Sequence, residues 1–128
     1  ATDHAPHTDY EKDKEFDFAP SGIVGLETAL PITLQILHRE SGFSLLDTIS
    51  QLTSRPAAVM NLEGGSMAEG AKADIAIIDP EESWTVTPDS LHSKSAKSPW
   101  LGVELKGRVR NTLLEGRVVF SVGQILTG

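Results

Sequence analysis

The sequence has no cysteine, few aromatic residues and no excess of positive charge. Without cysteine there can be no disulfide, no thiolate nucleophile and no cysteine-ligated zinc, which fits a reducing cytoplasm. The net charge of −7 argues against nucleic acid and against an anionic membrane surface as partners. The longest apolar stretch, residues 23–37, is interrupted by Glu27, Thr28 and Pro31, so no segment reaches the length of a membrane span.

The remaining composition is typical of a globular protein, with 39% hydrophobic and 23% charged residues. A length of 128 residues suits one domain or two partial ones. The first seven residues nevertheless crowd one Asp and two His around a proline, and the sequence does not start with Met. Because such chemistry is unusual at a bare terminus, we expect a piece of a longer polypeptide, beginning just before the end of an active-site strand.

The first half of the sequence predicts a strand end, a long loop and a helix. Residues 1–4 are typical of the end of a buried strand, and the polar residues 8–17 predict a charged loop that packs back through the following phenylalanines. Apolar residues then recur every three or four positions over residues 23–37, which predicts a helix opening at Ser21-Gly22. Pro31 should kink that helix or mark a local irregularity.

Two shorter helices should follow. Gly42 can end the first helix in a left-handed conformation, and Ser44 with Asp47 three residues later is expected to cap the next one. Pro56 can open a short third helix that continues to Met60.

The second half predicts a small β unit. Residues 73–80 form a β-branched run ended by Asp-Pro, and residues 84–86 suggest another short strand. Residues 105–114 and 117–122 predict a hairpin with its turn at Glu115-Gly116. These strands are too few for a sandwich of their own, so we expect them to complete a sheet begun elsewhere.

Three ionisable side chains in the first seven residues are candidates for chemistry. Asp3, at a strand end, could bind a cation such as zinc and exchange a proton with water, or it could cap the turn over Ala5-Pro6. His4 points to the opposite side of an extended strand, so a hydrogen bond to the scaffold is its better interpretation. His7 could face the same cavity as Asp3 and bind a substrate oxygen, or it could be a loop side chain in solvent.

Ser21-Gly22 is a second candidate. Backbone N–H groups at a helix start bind carboxylates, and glycine lets a ligand approach the main chain closely. The alternative is a plain helix entry without a ligand. Glu27 is expected to serve the helix dipole or to tie down the loop.

Several stretches together resemble the C-terminal part of dihydroorotases, within the amidohydrolase superfamily. They read ATDHAPHT (1–8), EK (11–12), APSGIVGLETALP (19–31), SRPA (54–57), GAKADIAIIDP (70–80), LKGRV (105–109) and EGRV (115–118). The residues at 1–8 and 19–31 are specific for dihydroorotases, whereas the β segments indicate only the superfamily. The resemblance covers essentially the whole chain.

The resemblance implies an α/β fold: the C-terminal part of a metal-dependent (β/α)8 barrel plus the C-terminal share of a small β-sandwich. Residues 1–62 would be the last barrel strand, the substrate loop and the C-terminal helices, and residues 63–128 the C-terminal part of the composite sandwich. The implied reaction is the reversible cyclisation of N-carbamoyl-L-aspartate to dihydroorotate in cytoplasmic pyrimidine synthesis. The implied partners are this small-molecule substrate and either further copies of the chain or aspartate transcarbamoylase.

By similarity, Asp3 is the metal-binding general acid/base, with Zn²⁺ as cofactor. His7 matches the position that contacts the substrate carboxylate, and Ser21 and Gly22 match a pair whose backbone meets the substrate. Ser21 replaces a bulkier residue, which a backbone contact tolerates. The family's His-x-His pair, its further His ligands and its substrate Arg and Asn are absent from these 128 residues. We therefore expect the chain alone neither to hold a complete metal centre nor to turn over substrate.

Two alternatives remain open at this point. One is another cyclic amidohydrolase, such as a hydantoinase, a dihydropyrimidinase or an allantoinase, although the Ala5-Pro6-His7 run counts against these. The other is an inactive dihydroorotase homologue that serves as a structural partner of aspartate transcarbamoylase, against which the intact Asp3 and His7 argue.

Overall fold

The computed structural model describes residues 2–126, which fall into two compact units. The first unit contains the described residues up to 29 together with Trp84–Leu105. The second unit contains Leu30–Ser83 together with the described residues from Lys106 onward. The sequence-based division at residue 62, between barrel and sandwich residues, stays a prediction.

The first unit opens with two short extended segments that pair in parallel. His4 and Ile23 form a bridge, and the N–H of Ala5 donates to the carbonyl of Ile23 at 2.9 Å. This pairing keeps Ile23 extended and uses its carbonyl, so α2 begins at Leu26 rather than at Ser21-Gly22. The prediction of a helix start at Ser21-Gly22 was therefore wrong by several residues.

The predicted charged loop contains a short helix. Helix α1 spans Asp9–Lys12, and Thr8 and Glu11 cap it reciprocally in a capping box, whose Thr-x-x-Glu signature is visible in the sequence. A single 3₁₀ turn follows at Phe16–Phe18. Phe16 is 94% exposed and Phe18 is 73% exposed, so the expectation that this segment packs back through its phenylalanines was wrong within the described residues.

Helix α2 spans Leu26–Thr33 and continues as a π-helix over Leu34–Glu40. Pro31 lies inside α2, where it has no N–H to donate to the preceding turn. The wider π turns begin three residues later, which confirms the predicted irregularity and gives it a specific form.

Two short helices follow in the second unit. Gly42 has φ +75°, as expected after a helix end, and Ser44 caps α3 (Leu45–Ser50) by accepting a hydrogen bond from the N–H of Asp47 at 3.0 Å. Both features confirm the sequence analysis. Helix α4 spans Ser54–Val59, so Pro56 is its third residue rather than its first.

The sheet has four strands in the order β1-β2-β3-β4. They are β1 (Ile75–Thr85), β2 (Glu104–Leu114), β3 (Arg117–Ser121) and β4 (Gln124–Ile125). Strand β1 is continuous where the sequence predicted two strands. The carboxylate of Asp79 accepts hydrogen bonds from the N–H groups of Glu81 and Glu82 at 2.9 and 3.1 Å, which satisfies the two backbone donors that follow Pro80.

The hairpin between β2 and β3 confirms the predicted turn. Leu114 pairs with Arg117 in antiparallel register, which leaves a two-residue loop of Glu115 and Gly116. Both loop residues have positive φ, +50° and +80°, the pattern of a type I′ turn. A register shift between Thr112 and Leu113 introduces an irregularity next to this turn.

Each unit has its own buried side chains. In the first unit Val24 and Val86 are almost fully buried, and in the second unit Leu34 is. Gly107 lies directly against Leu34, where a side chain at position 107 would collide with it. Within residues 2–126, no helix combines the length and the apolar character needed to cross a membrane.

Candidate active-site segment

Asp3 is presented in an uncommon backbone conformation. Its φ is +48°, in the left-handed region that few residues other than glycine adopt, although Asp is among the more tolerant ones. The residue is exposed. Among residues 2–126, no hydrogen bond or ion pair engages the Asp3 carboxylate, so both oxygens are available to a ligand or a proton.

His4 is part of the scaffold, as the sequence indicated. Its side chain is half-buried, and its Nδ1 accepts a hydrogen bond from the N–H of Gly25 at 3.1 Å. Gly25 also approaches the carbonyl of Thr2 so closely that an added Cβ would lie 2.9 Å from it. These contacts fix the backbone on both sides of Asp3.

The structure brings His7, Ser21 and Gly22 together, and we call these three residues the His7 cluster. The Nε2 of His7 lies 3.0 Å from the carbonyl oxygen of Ser21. Because a carbonyl only accepts, Nε2 carries the hydrogen in this arrangement. Gly22 has φ +136°, and a Cβ there would lie 2.6 Å from the carbonyl of Ala5 and 2.9 Å from Cδ2 of His7. Only glycine fits this position.

Two backbone donors of the His7 cluster are unused. Among the described residues, no acceptor pairs with the N–H of Ser21 or of Gly22. Free N–H groups beside an imidazole are suited to bind a carboxylate. They lie before α2 and not within its first turn, so the helix dipole is not the reason for their suitability, contrary to the sequence-based argument.

A carboxylate also lies close to His7. Nδ1 of His7 lies 3.7 Å from Oε2 of Glu11. The pKa of Glu11 is lowered, mainly because its carboxylate accepts a hydrogen bond from the Thr8 backbone and another from the Thr8 hydroxyl, with smaller contributions from the charges of His7 and Lys14 that together outweigh slight desolvation. Glu11 is therefore ionised at neutral pH, and its carboxylate lies on the side of the imidazole opposite Ser21.

Other polar groups hold the neighbouring backbone. Nζ of Lys12 donates to the carbonyl of Pro20 at 2.7 Å, which ties α1 to the residue before Ser21. Nζ of Lys97 lies 3.1 Å from Oδ1 of Asp9. A surface depression of about 300 Å³ is lined by Asp9, Tyr10, Lys12, Asp13 and Lys97 and by none of the predicted site residues.

Glu27 makes a contact that could not be seen in the sequence. Its carboxylate accepts hydrogen bonds from the backbone N–H groups of His92 and Ser93 and from the Ser93 hydroxyl. Burial raises the pKa of Glu27, but the Ser93 hydroxyl and the surrounding backbone N–H groups outweigh it, so the pKa is lowered overall. From the sequence, Glu27 was expected to serve the helix dipole or to tie down the charged loop before its helix. In the structure it binds a different loop, at residues 65 and 66 positions further along the chain.

The described residues offer one candidate metal ligand rather than a metal centre. Asp3 offers an exposed carboxylate of the type that binds zinc. Within residues 2–126, no three His, Asp or Glu side chains are grouped so that they could hold an ion together. His7 is engaged with Ser21, and His4 with Gly25. Asp3 therefore fits the implied metal as a single ligand.

A profile of the amidohydrolase family matches residues 20–120, and the chain belongs to this family. Among curated proteins, it is 47% identical over 120 residues to a dihydroorotase of Clostridium acetobutylicum and 48% identical over 120 residues to one of Syntrophotalea carbinolica. Each alignment covers 94% of this chain but only 28% of the relative. The predicted resemblance to the dihydroorotases is confirmed, and the chain spans little more than a quarter of their length.

The solved structure of a D-hydantoinase from Bacillus sp. AR9 superposes with a TM-score of 0.84, at 27% identity over 97% of this chain and 28% of that one. This match confirms the predicted fold class, with the chain forming part of an amidohydrolase fold. The identity to the two dihydroorotases is much higher than to this hydantoinase. The sequence stretches that indicated the family are thus more informative about the relationship than the shared fold.

Proposed function

We propose that this chain supplies one wall of the active site of a dihydroorotase, an enzyme that interconverts dihydroorotate and N-carbamoyl-L-aspartate. The His7 cluster is the observation that supports this most directly. It sets an imidazole and two N–H groups, unpaired among residues 2–126, beside the segment that carries Asp3. Both the substrate and the product carry carboxylates, and an arrangement of this kind recognises an anion.

Asp3 is the proposed general acid/base. In hydrolysis of dihydroorotate, its carboxylate accepts a proton from the attacking water and delivers it to the ring nitrogen as the C–N bond breaks. In cyclisation it removes the proton from the nitrogen that attacks and returns it to the oxygen that leaves as water. Its exposure and lack of partners leave the carboxylate free for both transfers. Zinc, when bound through Asp3 and ligands outside these residues, would polarise the carbonyl and acidify the water.

His7, Ser21 and Gly22 are the proposed substrate contacts. The N–H groups of Ser21 and Gly22 donate to the substrate carboxylate, and His7 holds Ser21 in place through its carbonyl. Direct contact between His7 and the substrate carboxylate then requires the Nε2–H to leave the Ser21 carbonyl, because an Nδ1 without a hydrogen only accepts. The serine at position 21 is compatible with this role because its backbone makes the contact.

The test is a chimaera in which this chain replaces the matching 120-residue region of the Clostridium acetobutylicum relative. We expect the chimaera to hydrolyse dihydroorotate and to contain zinc. Dihydrouracil, which is dihydroorotate without its carboxylate, is the matched substrate control. His7→Ala should raise KM for dihydroorotate by roughly tenfold or more and leave any dihydrouracil hydrolysis unchanged, because only the former has an anion to bind.

His38→Ala is the matched variant, since His38 lies in the π-helix and its Nδ1 contacts the carbonyl of Phe43. His38→Ala should leave the KM for dihydroorotate and any hydrolysis of dihydrouracil unchanged. A folded chimaera that hydrolyses neither substrate would favour an inactive homologue with a structural role. One that prefers dihydrouracil or hydantoin would favour a hydantoinase-type enzyme. Either result would overturn the proposal.

A further inference from the structure

The loop over residues 92–97, which we call the 92–97 loop, is attached to the segment behind the His7 cluster at two places. At one end, the Glu27 carboxylate accepts hydrogen bonds from the N–H of His92 at 2.9 Å and from the N–H and hydroxyl of Ser93, both at 2.7 Å. At the other end, the carbonyl of Lys97 accepts a hydrogen bond from the N–H of Val24 at 3.1 Å. All of these residues belong to the first unit.

The Val24 attachment lies two residues after Gly22 of the His7 cluster. Val24 is 1% exposed, and it lies between Gly22 of the His7 cluster and Gly25, whose N–H donates to His4. Gly22 touches Ala5 and His7 with no room for a Cβ. A small displacement of Val24 would therefore shift the backbone at Gly22 relative to the imidazole.

The Glu27 attachment is stronger than a surface contact usually is. The Ser93 hydroxyl lies within hydrogen-bond distance of both carboxylate oxygens, at 2.7 and 3.0 Å, and Ser93 is half-buried. Hydrogen bonds to an ionised acceptor are shorter and stronger than neutral ones. The Lys97–Asp9 ion pair, by contrast, joins two largely exposed side chains and is a weak restraint.

We propose that Glu27 and Ser93 are positioning residues: by fixing the 92–97 loop against Val24, they hold Ser21 and Gly22 in the geometry that binds the substrate carboxylate. This inference rests on the proposed function for its catalytic consequence. Neither side chain touches the substrate. Their effect passes from Val24 to the backbone of Gly22 and Ser21, so it falls on substrate binding. The hydrogen bond from Gly25 to His4 continues to hold the backbone beside Asp3, so the proton transfers change less.

The experiment compares Glu27→Ala, Glu27→Gln and Ser93→Ala in the dihydroorotase chimaera. We expect Glu27→Ala to raise KM for dihydroorotate by roughly tenfold while kcat changes by less than about threefold, because the binding donors move and the acid/base does not. Glu27→Gln keeps one acceptor oxygen and should recover part of the loss. Glu69→Gln is the matched control, since Glu69 is exposed and is expected to change nothing.

Hydrogen–deuterium exchange, followed by mass spectrometry, provides a readout that does not depend on activity. The peptide covering residues 21–26 should exchange faster in Glu27→Ala than in Glu69→Gln, because the Val24 backbone loses its support. Unchanged exchange in this peptide, or an unchanged KM in an active chimaera, would overturn the inference. If the unmutated chimaera is folded but inactive, the proposed function fails, and the exchange measurement alone decides whether Glu27 positions this segment.

Discussion

The segment that carries the candidate site and the sheet of the second unit are stabilised in different ways. Strands β2 and β3 form an antiparallel ladder across a two-residue turn, and apart from one register shift their residues pair in sequence. The segments around Asp3 and Gly22 share a single isolated bridge, and individual side chains hold them: His4 on Gly25, His7 on Ser21 and Lys12 on Pro20.

The two regions also differ in how many of their backbone N–H groups are used. In a hairpin the N–H groups are used by the neighbouring strand, whereas the N–H groups of Ser21 and Gly22 have no acceptor among residues 2–126. Positive φ also has a different meaning in the two places. At Glu115 and Gly116 it makes a tight turn, and at Asp3 and Gly22 it shapes a surface that could meet a substrate. The following predictions test this contrast, in order of decreasing effect.

The largest effect is expected for Asp3→Asn in the chimaera. Asn tolerates the left-handed conformation and keeps the shape, so folding should be unchanged. Loss of the proton carrier should lower kcat for dihydroorotate by about 1,000-fold, within the range for general acid/base groups. Asp17→Asn, at another exposed Asp, should leave kcat unaltered. Near-normal turnover by Asp3→Asn would contradict the proposed role of Asp3 as general acid/base.

The next largest effect is expected for Leu34→Ala, which tests the stability of the second unit. Leu34 is 0% exposed and lies against Gly107, so truncation leaves a cavity. The free energy of unfolding should fall by about 3 kcal/mol. The urea midpoint of the chimaera, followed by circular dichroism, measures this. Leu46→Ala, at a residue that is 81% exposed, is the comparison and should cost about 0.5 kcal/mol or less. Equal losses of unfolding free energy in the two variants would contradict the burial of Leu34.

A smaller loss of stability but a clear loss of binding is expected for Gly22→Ala. The methyl group would collide with Ala5 and His7, and φ +136° disfavours alanine. Together these should cost about 2 kcal/mol and raise KM for dihydroorotate. Gly70 has φ +83° with no atom within 4 Å of an added Cβ, so Gly70→Ala carries only the backbone cost and should leave KM as it is. If Gly22→Ala binds substrate normally, the His7 cluster is not the carboxylate site.

The smallest effect concerns pH. The pKa of Glu27 is lowered from its ordinary value of 4.5, so its contact with Ser93 stabilises the folded state fully above pH 4.5 and is lost as the pH falls through the lower folded pKa. The contact is partly exposed, which keeps its contribution small. Urea midpoints of the unmutated and Glu27→Gln chimaeras should differ at neutral pH and converge below pH 4.5. A difference between the two urea midpoints that grows as the pH falls would contradict the lowered pKa of Glu27.

Local features were predictable from neighbouring residues. Ser44 with Asp47 at the start of α3, Gly42 after the π-helix and the Glu115-Gly116 turn each depend on groups a few positions apart. The Thr8-x-x-Glu11 capping box had the same kind of signal and could have been found. The continuous β1 strand could not, because its passage through Pro80 depends on how the Asp79 carboxylate meets the N–H groups of Glu81 and Glu82.

The sequence by itself determined the family, the candidate residues and the ends of several helices and turns, since these depend on residue types at short spacings. Tertiary structure alone decided that His7 holds Ser21 and that Glu27 binds Ser93. It also decided that the N–H groups of Ser21 and Gly22 have no partner among the described residues. The reason is physical: hydrogen bonds between residues 14 or 66 positions apart exist only after the chain has folded, and no local pattern encodes which partners will meet.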